Sequence, residues 1–341
     1  LMGVDGPFSG GGTLLRSKDG LIWEQIISMI SPNPDHVVDL GAPPSSFVNP
    51  AYLAYGNGKF IIFAPGDCGL FAYSADGEHW FFDDLTLQLS VISGTDLNLN
   101  NMQFVNDRFI LLWSKNSVFY SSDGLTWSSA SLPSAQTWNC AAYGNNKYVI
   151  ISKEGHVAYT TNFSSWTEIT VTSEKYFSRI IYGGNKFIIS AYSFNSDTED
   201  DFAFYSTNGT TWSKISIPKF DLTTDTTSTY NPYLGTSENR VVKYYFNHFI
   251  MIDIRSDNYL ISSDGLSWEQ KTFPIPESDN SHNSGLTAIM CVDDGIVIIP
   301  YDISYDPDLI EIHDTNFPAC IKPIDISALD FDIVDDRVHL I

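Results

Sequence analysis

Two kinds of hydrophobic pattern alternate along this chain. The first is a pair of nearly continuous β-branched and aromatic runs joined by a short polar turn, as in Phe60–Phe63 and Ile296–Ile299. Runs this apolar, bounded by turn formers, predict strands buried on both faces. The second is a looser alternation around a turn, which predicts a half-exposed hairpin. Each apolar hairpin carries an aromatic or apolar residue, four turn residues and a second aromatic or apolar residue. The pairs are Tyr55/Phe60, Phe104/Phe109, Tyr143/Tyr148, Tyr182/Phe187, Tyr244/Phe249, Cys291/Ile296 and Ile333/Val338.

The amphipathic hairpins share a tighter signature, Ser-x-Asp-Gly-x-x-Trp. Its copies place the acid or amide at Asp19, Asp76, Asp123, Asn162, Asn208 and Asp264, four residues before Trp23, Trp80, Trp127, Trp166, Trp212 and Trp268. A worn seventh copy has Asn316, with Cys320 in the Trp place. The chemistry is that of a turn. Asp or Asn accepts hydrogen bonds from turn amides, Gly supplies positive φ, Ser or Thr bonds locally, and the Trp buries a large ring at the next strand. These seven turns therefore have a structural role.

One apolar and one amphipathic hairpin make a four-stranded unit. The units repeat every 39 to 57 residues, as propeller blades do. The chain opens with an amphipathic hairpin at 13–26 and closes with an apolar one at 328–341. Pairing these two completes a blade and removes exposed sheet edges. The expectation is an all-β, seven-bladed β-propeller of four-stranded antiparallel blades over residues 13–341. A Gly-rich N-terminal arm, 1–12, precedes it.

The repeated turns resemble the Asp-box, or BNR-like, repeats of sialidase-type propellers. They have one residue fewer between Asp and Trp, a shortened variant similar to repeats of phage tail and bacterial surface proteins. The resemblance implies a propeller. It leaves activity open, because relatives include sialidases, other glycoside hydrolases, assembly factors, sorting receptors and lectin-like binders.

Charge narrows the partners. Lys and Arg number 18 against 41 Asp and Glu, a net charge of −23. Such a chain repels phosphate backbones and carries no basic stripe, so nucleic acid is excluded as a partner. Cys68, Cys140, Cys291 and Cys320 are far apart, with no metal-ligand spacing. No apolar run is long enough for a membrane span, and no insertion is expected. No cofactor or metal site is expected.

Catalytic signatures are sparse. A sialidase needs three convergent arginines, a Tyr nucleophile with its Glu, and an acidic proton donor; the Arg-Ile-Pro signature is missing. Only Arg179, Arg240 and Arg255 sit where three could approach a channel mouth. Paired carboxylates for glycoside hydrolysis abound without specificity. No catalytic residue is assigned.

The connections are unequal. Turns within hairpins are short and fall at one end of the blades. Hairpin-to-hairpin and blade-to-blade connections fall at the other, with long insertions near 28–50, 86–101, 191–201, 219–239, 274–286 and 300–308. Long connections in a compact fold are usually functional or disordered. Their aromatic and charged residues form the candidate ligand-binding set: Tyr192, Phe194, Asp197, Asp200, Tyr230, Tyr233, Arg255, Tyr301 and Tyr305. Phe47 and Phe220 belong to the same class of surface aromatics. Tyr and Phe among Asp, Asn and Ser suit sugar stacking or protein contact. The leading expectation is a non-enzymatic recognition or structural module. It would bind a glycan or protein receptor, or neighbouring subunits, in an extracellular, phage-tail, virion or bacterial surface assembly. The alternatives are a sialidase-like glycoside hydrolase and an intracellular assembly scaffold.

Overall fold

The computed structural model describes residues 2–5, 12–16, 24–25, 29–30, 52–64, 70–77, 79–83, 99–113, 115–173, 176–192, 202–220, 240–245, 247–253, 256, 258–272, 285–292 and 295–301. Among them every regular element is a strand. Three run at the start, β1 (Met2–Asp5), β2 (Gly12–Arg16) and β3 (Glu24–Gln25), followed by a short β4 (Met29–Ile30). Four-stranded units then repeat. They are β5 (Tyr52–Gly56) to β8 (Trp80–Asp83), through β6 (Lys59–Ala64) and β7 (Leu70–Ser74); and β9 (Leu99–Val105) to β12 (Ser128–Ser131), through β10 (Arg108–Trp113) and β11 (Ser117–Ser121). Next come β13 (Trp138–Gly144), β14 (Lys147–Ser152), β15 (His156–Thr160) and β16 (Thr167–Thr170). A further unit holds β17 (Tyr176–Gly183), β18 (Lys186–Tyr192), β19 (Phe202–Ser206) and β20 (Ser213–Ser216). The last complete one holds β21 (Arg240–Tyr245), β22 (His248–Asp253), β23 (Asn258–Ser262) and β24 (Glu269–Thr272), before the hairpin β25 (Gly285–Val292) and β26 (Gly295–Tyr301).

Each unit is an antiparallel meander in chain order. The first two strands are its apolar hairpin. Burial is almost continuous along β13 and β14, whereas β16 is exposed at both ends. The predicted pairs sit opposite each other: Tyr55 faces Phe60, Phe104 faces Phe109, Tyr143 faces Tyr148, Tyr182 faces Phe187, Tyr244 faces Phe249 and Cys291 faces Ile296. The five aromatic pairs hold ring centroids 4.4 to 4.8 Å apart, within the favourable range for tilted rings. Ile333 and Val338 lie outside the described residues.

Successive units pack innermost strand to innermost strand, β5 on β9, β9 on β13, β13 on β17 and β17 on β21. The apolar clusters bridge neighbours: Ile61, Phe63 and Phe71 of one unit join Phe109, Leu111 and Trp127 of the next. Polar side chains stitch the same strands near their starts. Asn100 and Asn101 donate to the carbonyls of Trp138 and Asn139 at 2.9 and 2.7 Å. Asn139 donates onward to Phe177 and Ser178, at 3.1 and 3.0 Å, and Ser178 Oγ donates to Arg240 O at 2.5 Å. Innermost-strand backbone is thus tied across four units without a shared ladder.

Two expectations change at the N-terminal part. Residues 2–5, read as an arm, form β1 and pair with β2, whose other edge is taken by β3. The position beside β2 that closure gave to the terminal hairpin is thus filled by residues 2–5. Hairpin closure over a few Gly- and Pro-containing residues costs far less chain entropy than closure from the far end of the chain. Residues 328–341, and the seventh unit with them, lie outside the described residues. Met29 and Ile30, read as part of a long connection, run parallel to β8 and pair with its outer edge. That covers an edge otherwise open to strand addition.

Candidate functional site

The strand order gives each unit two unlike ends. At one, the turn end, lie both hairpin turns of every unit. The contacts confirm that they share it: Asn57, in the β5–β6 turn, donates to Ser122 O in the β11–β12 turn at 2.7 Å, and Asn145 reaches Thr207 O in the same way.

The geometry of the recurrent turns follows from their residue types. Ser74, Ser121, Ser206 and Ser262 each accept the N–H of the Gly three residues on, all at 2.8 Å. Asp123 Oδ1 accepts from the amides of Leu125 and Thr126 at 2.8 and 2.7 Å. Asp264 does the same with Leu266 and Ser267, and Asn208 with Thr210 and Thr211. Burial of the Asp123 carboxyl works against its charge, but these amides outweigh it and hold the group at about 2. Asp76 also sits at about 2, held first by the His79 amide and then by the His79 ring. The four turn glycines Gly77, Gly124, Gly209 and Gly265 have φ from 72° to 75°. Phe163 stands in that place at φ 60°, a strained conformation for a bulky residue. Its ring is buried, stacked on Tyr120 at 4.3 Å and tilted against Tyr148 at 4.6 Å. Asp19 and Asn316 lie outside the described residues. These acids serve their own turns.

At the other end, the connection end, units differ. Phe194, Asp197, Asp200, Tyr230, Tyr233, Arg255 and Tyr305 lie outside the described residues. Tyr192 ends β18 and Tyr301 ends β26, so the strand order brings these two termini to this end. Phe220, read as a surface aromatic, is instead fully buried in the cluster around Met251 and Leu260. The Arg240 guanidinium lies 4.9 Å above its ring.

Arg240 is committed inside the scaffold, and Arg255 lies outside the described residues. Arg240 is buried, with Nε 3.0 Å from Asp253 Oδ2, and the side chain of Asp253 is fully buried too. Its Nη1 donates to Ala191 O of the preceding unit at 2.9 Å. The guanidinium is a structural cross-link, and a buried pair of this kind is costly to break from one side.

A polar cluster at this end was not foreseen. Glu168 accepts from Ser134 Oγ at 2.7 and 2.8 Å and lies 2.8 Å from His156 Nδ1. Gln136 donates to Ser134 Oγ at 3.1 Å, and Glu154 accepts from the Thr137 amide at 3.1 Å. Burial raises Glu154, yet its bonds to Thr137 prevail and lower it. The β15–β16 register, pairing His156 with Thr170 and Ala158 with Glu168, puts His156 and Glu168 two rungs apart on one face of the hairpin. The acid stands between hydroxyl and imidazole here. A nucleophilic triad needs the imidazole in the middle, so the cluster pins the 132–137 connection to the outer hairpin. Among the described residues no three His, Cys, Asp or Glu side chains group to hold a metal ion, and no helix is long and apolar enough to cross a membrane. Cys140 is a buried free thiol whose sulfur lies 3.5 Å from the Ile180 amide.

No protein-family model matches the chain, and no curated protein matches it in sequence. Solved structures do match in fold. A streptogramin B lyase structure aligns with TM-score 0.52 and 11% identity over 72% of this chain and 74% of its own. A structure of YCF48 bound to D1 peptide aligns with TM-score 0.53 and 12% identity over 86% and 84%. With successive four-stranded antiparallel sheets packed through their innermost strands, these likenesses make the chain an all-β protein of the β-propeller type.

Proposed function

We propose that the chain is a non-enzymatic recognition module that binds a protein partner through its connection end. The carrying observation is the contrast between the two ends. The acids, amides and hydroxyls of the recurrent turns are consumed in repeated turn and inter-blade bonds, whereas the long connections leave from the opposite end. Loops placed by a rigid scaffold are where binding residues concentrate. The peptide-bound neighbour supports a peptide or protein ligand for this architecture. The aromatic set Tyr192, Phe194, Tyr230, Tyr233, Tyr301 and Tyr305, with Asp197, Asp200 and Arg255, supplies the chemistry. The shortened Asp-box resemblance points to a phage-tail, virion or bacterial surface setting outside the cell. The second reading is a glycan ligand, favoured by tyrosines beside acids and amides in these connections.

The test replaces residues 221–239 with a short Gly/Ser linker. Capture of partners on the unaltered chain, with a glycan array in parallel, should give a ligand that the variant loses while it still melts cooperatively. Unchanged binding by a folded variant contradicts the proposal.

A further inference from the structure

A second surface lies at the turn end. The first residue of the second strand is basic in five successive blades: Lys59, Arg108, Lys147, Lys186 and His248. Each occupies the last rung before the turn, opposite Gly56, Val105, Gly144, Gly183 and Tyr245. All five are partly exposed. Equal register in successive blades sets them in an arc around the propeller axis. In a chain of net charge −23, this sets four of the 18 Lys and Arg, with His248, at one repeated position.

Side-chain direction shows what the arc faces. Side chains two residues apart share a strand face. Ile61 and Ile188, two beyond Lys59 and Lys186, sit against Gly124 and Gly265 of the next blade, and Val149, two beyond Lys147, sits against Gly209. Each lysine therefore points toward the next blade's recurrent turn. Lys59 and Lys186 face turns holding Asp123 and Asp264; Asp264 is held low first by the Ser267 and Leu266 amides and only last by Lys186. Lys147 faces Asn208, and Arg108 faces the turn of Asn162. Where an amide replaces the acid, the geometry is kept and the countercharge is gone. The remaining acids are engaged: Asp123 and Asp264 hold two amides each, and Asp107 accepts from the Tyr148 hydroxyl and lies 3.7 Å from Arg108. Asn145 and Tyr182, joined at 2.9 Å beside Lys147 and Lys186, add polar and aromatic surface to the arc.

We propose that this arc is a docking surface for an acidic peptide segment of a partner, laid across the turns between Lys59 and Lys186. It lies at the opposite end from the connections and does not depend on them. An extended chain matches a series of cations spaced blade by blade, and charge complementarity sets its affinity and orientation. The probe is a labelled Asp/Glu-only peptide, read by fluorescence anisotropy on the full chain at low ionic strength. Binding should fall by about tenfold in a Lys59→Gln/Lys147→Gln/Lys186→Gln variant, the loss expected from several exposed charge pairs. It should survive in the matching Lys→Arg variant, and with Lys153→Gln at the connection end. If the triple variant fails to melt cooperatively, Lys147→Gln alone is read, with a smaller loss expected. No binding to the unaltered chain, equal loss with Lys153→Gln, or equal binding of a sulfated polysaccharide would overturn the assignment.

Discussion

The two ends of this propeller are built by opposite rules. At the turn end, one solution is repeated: the hydroxyl, the acid or amide and the positive φ recur with hydrogen-bond lengths that hardly vary. At the connection end the described inter-blade bonds are less uniform. Among the described residues, Asn139 and Ser178 reach forward to the next blade and Arg240 reaches back to the preceding one, through an amide, a hydroxyl and a guanidinium. Repetition is what a structural role needs, because each turn must solve the same packing problem. Divergence is what recognition needs, because a ligand does not repeat blade by blade.

That comparison can be broken at either end. The largest effect is expected at the connection end. Asp253→Ala strands the buried Arg240 cation and should cost about 3–5 kcal/mol in urea unfolding; a loss under about 1 kcal/mol would remove Arg240 from the scaffold. Next is Phe163→Gly. It relieves a strained φ, worth about 1 kcal/mol, but empties a site whose ring burial is worth about 3–5 kcal/mol. A net loss of about 2–4 kcal/mol is therefore predicted. A variant more stable than the parent would show that backbone strain, not ring packing, governs that turn.

Gly183→Ala tests the inter-blade fit. Its added Cβ would lie 2.0 Å from Tyr244 Cγ, and such overpacking costs about 1–3 kcal/mol. Gly58→Ala, with open space around the same atom but φ +73°, should lose only the backbone part. Equal melting temperatures for the two would deny that glycine is needed there for close approach.

The smallest effect is one of pH. Asp123 is held at about 2 when folded, below an unfolded value of about 3.9. Its folded-state advantage is full above the unfolded value and drains away as pH falls toward about 2. Asp123→Asn should lower stability slightly at neutral pH and flatten the acid limb between about pH 4 and 2. Asn208 already shows that an amide keeps the two acceptor bonds.

The turn end was legible in the sequence because its period is fixed and its residues are chemically restricted. Six of the aromatic or apolar pairs stand opposite one another as their spacing requires, and Asn162 and Asn208 accept from amides of their own turns. The connection end was legible only as position. Pairing of residues 2–5 with β2, and of 29–30 with β8, depends on backbone groups that leave no side-chain period. Phe220 lies in a polar stretch, and nothing local says that Arg240 will cover its ring. The His156–Glu168–Ser134 cluster depends on a hairpin register and a neighbouring connection meeting in space, so separation along the chain concealed it.

The central claim is that the connections recognise the main partner and the recurrent turns hold the blades. It is tested most directly by measuring affinity and melting on the same variants, with the partner captured by the unaltered chain. Salt at about 0.5 M shortens the Debye length to about 4 Å and screens the basic arc. Replacing Tyr192, Phe194, Tyr230, Tyr233, Tyr301 and Tyr305 together by Ser should abolish binding and leave the melting temperature nearly unchanged. Replacing Asp123 and Asp264 by Ala should lower the melting temperature and leave the affinity of the folded protein unchanged. Binding that follows the recurrent-turn acids and ignores the six aromatics would contradict the account.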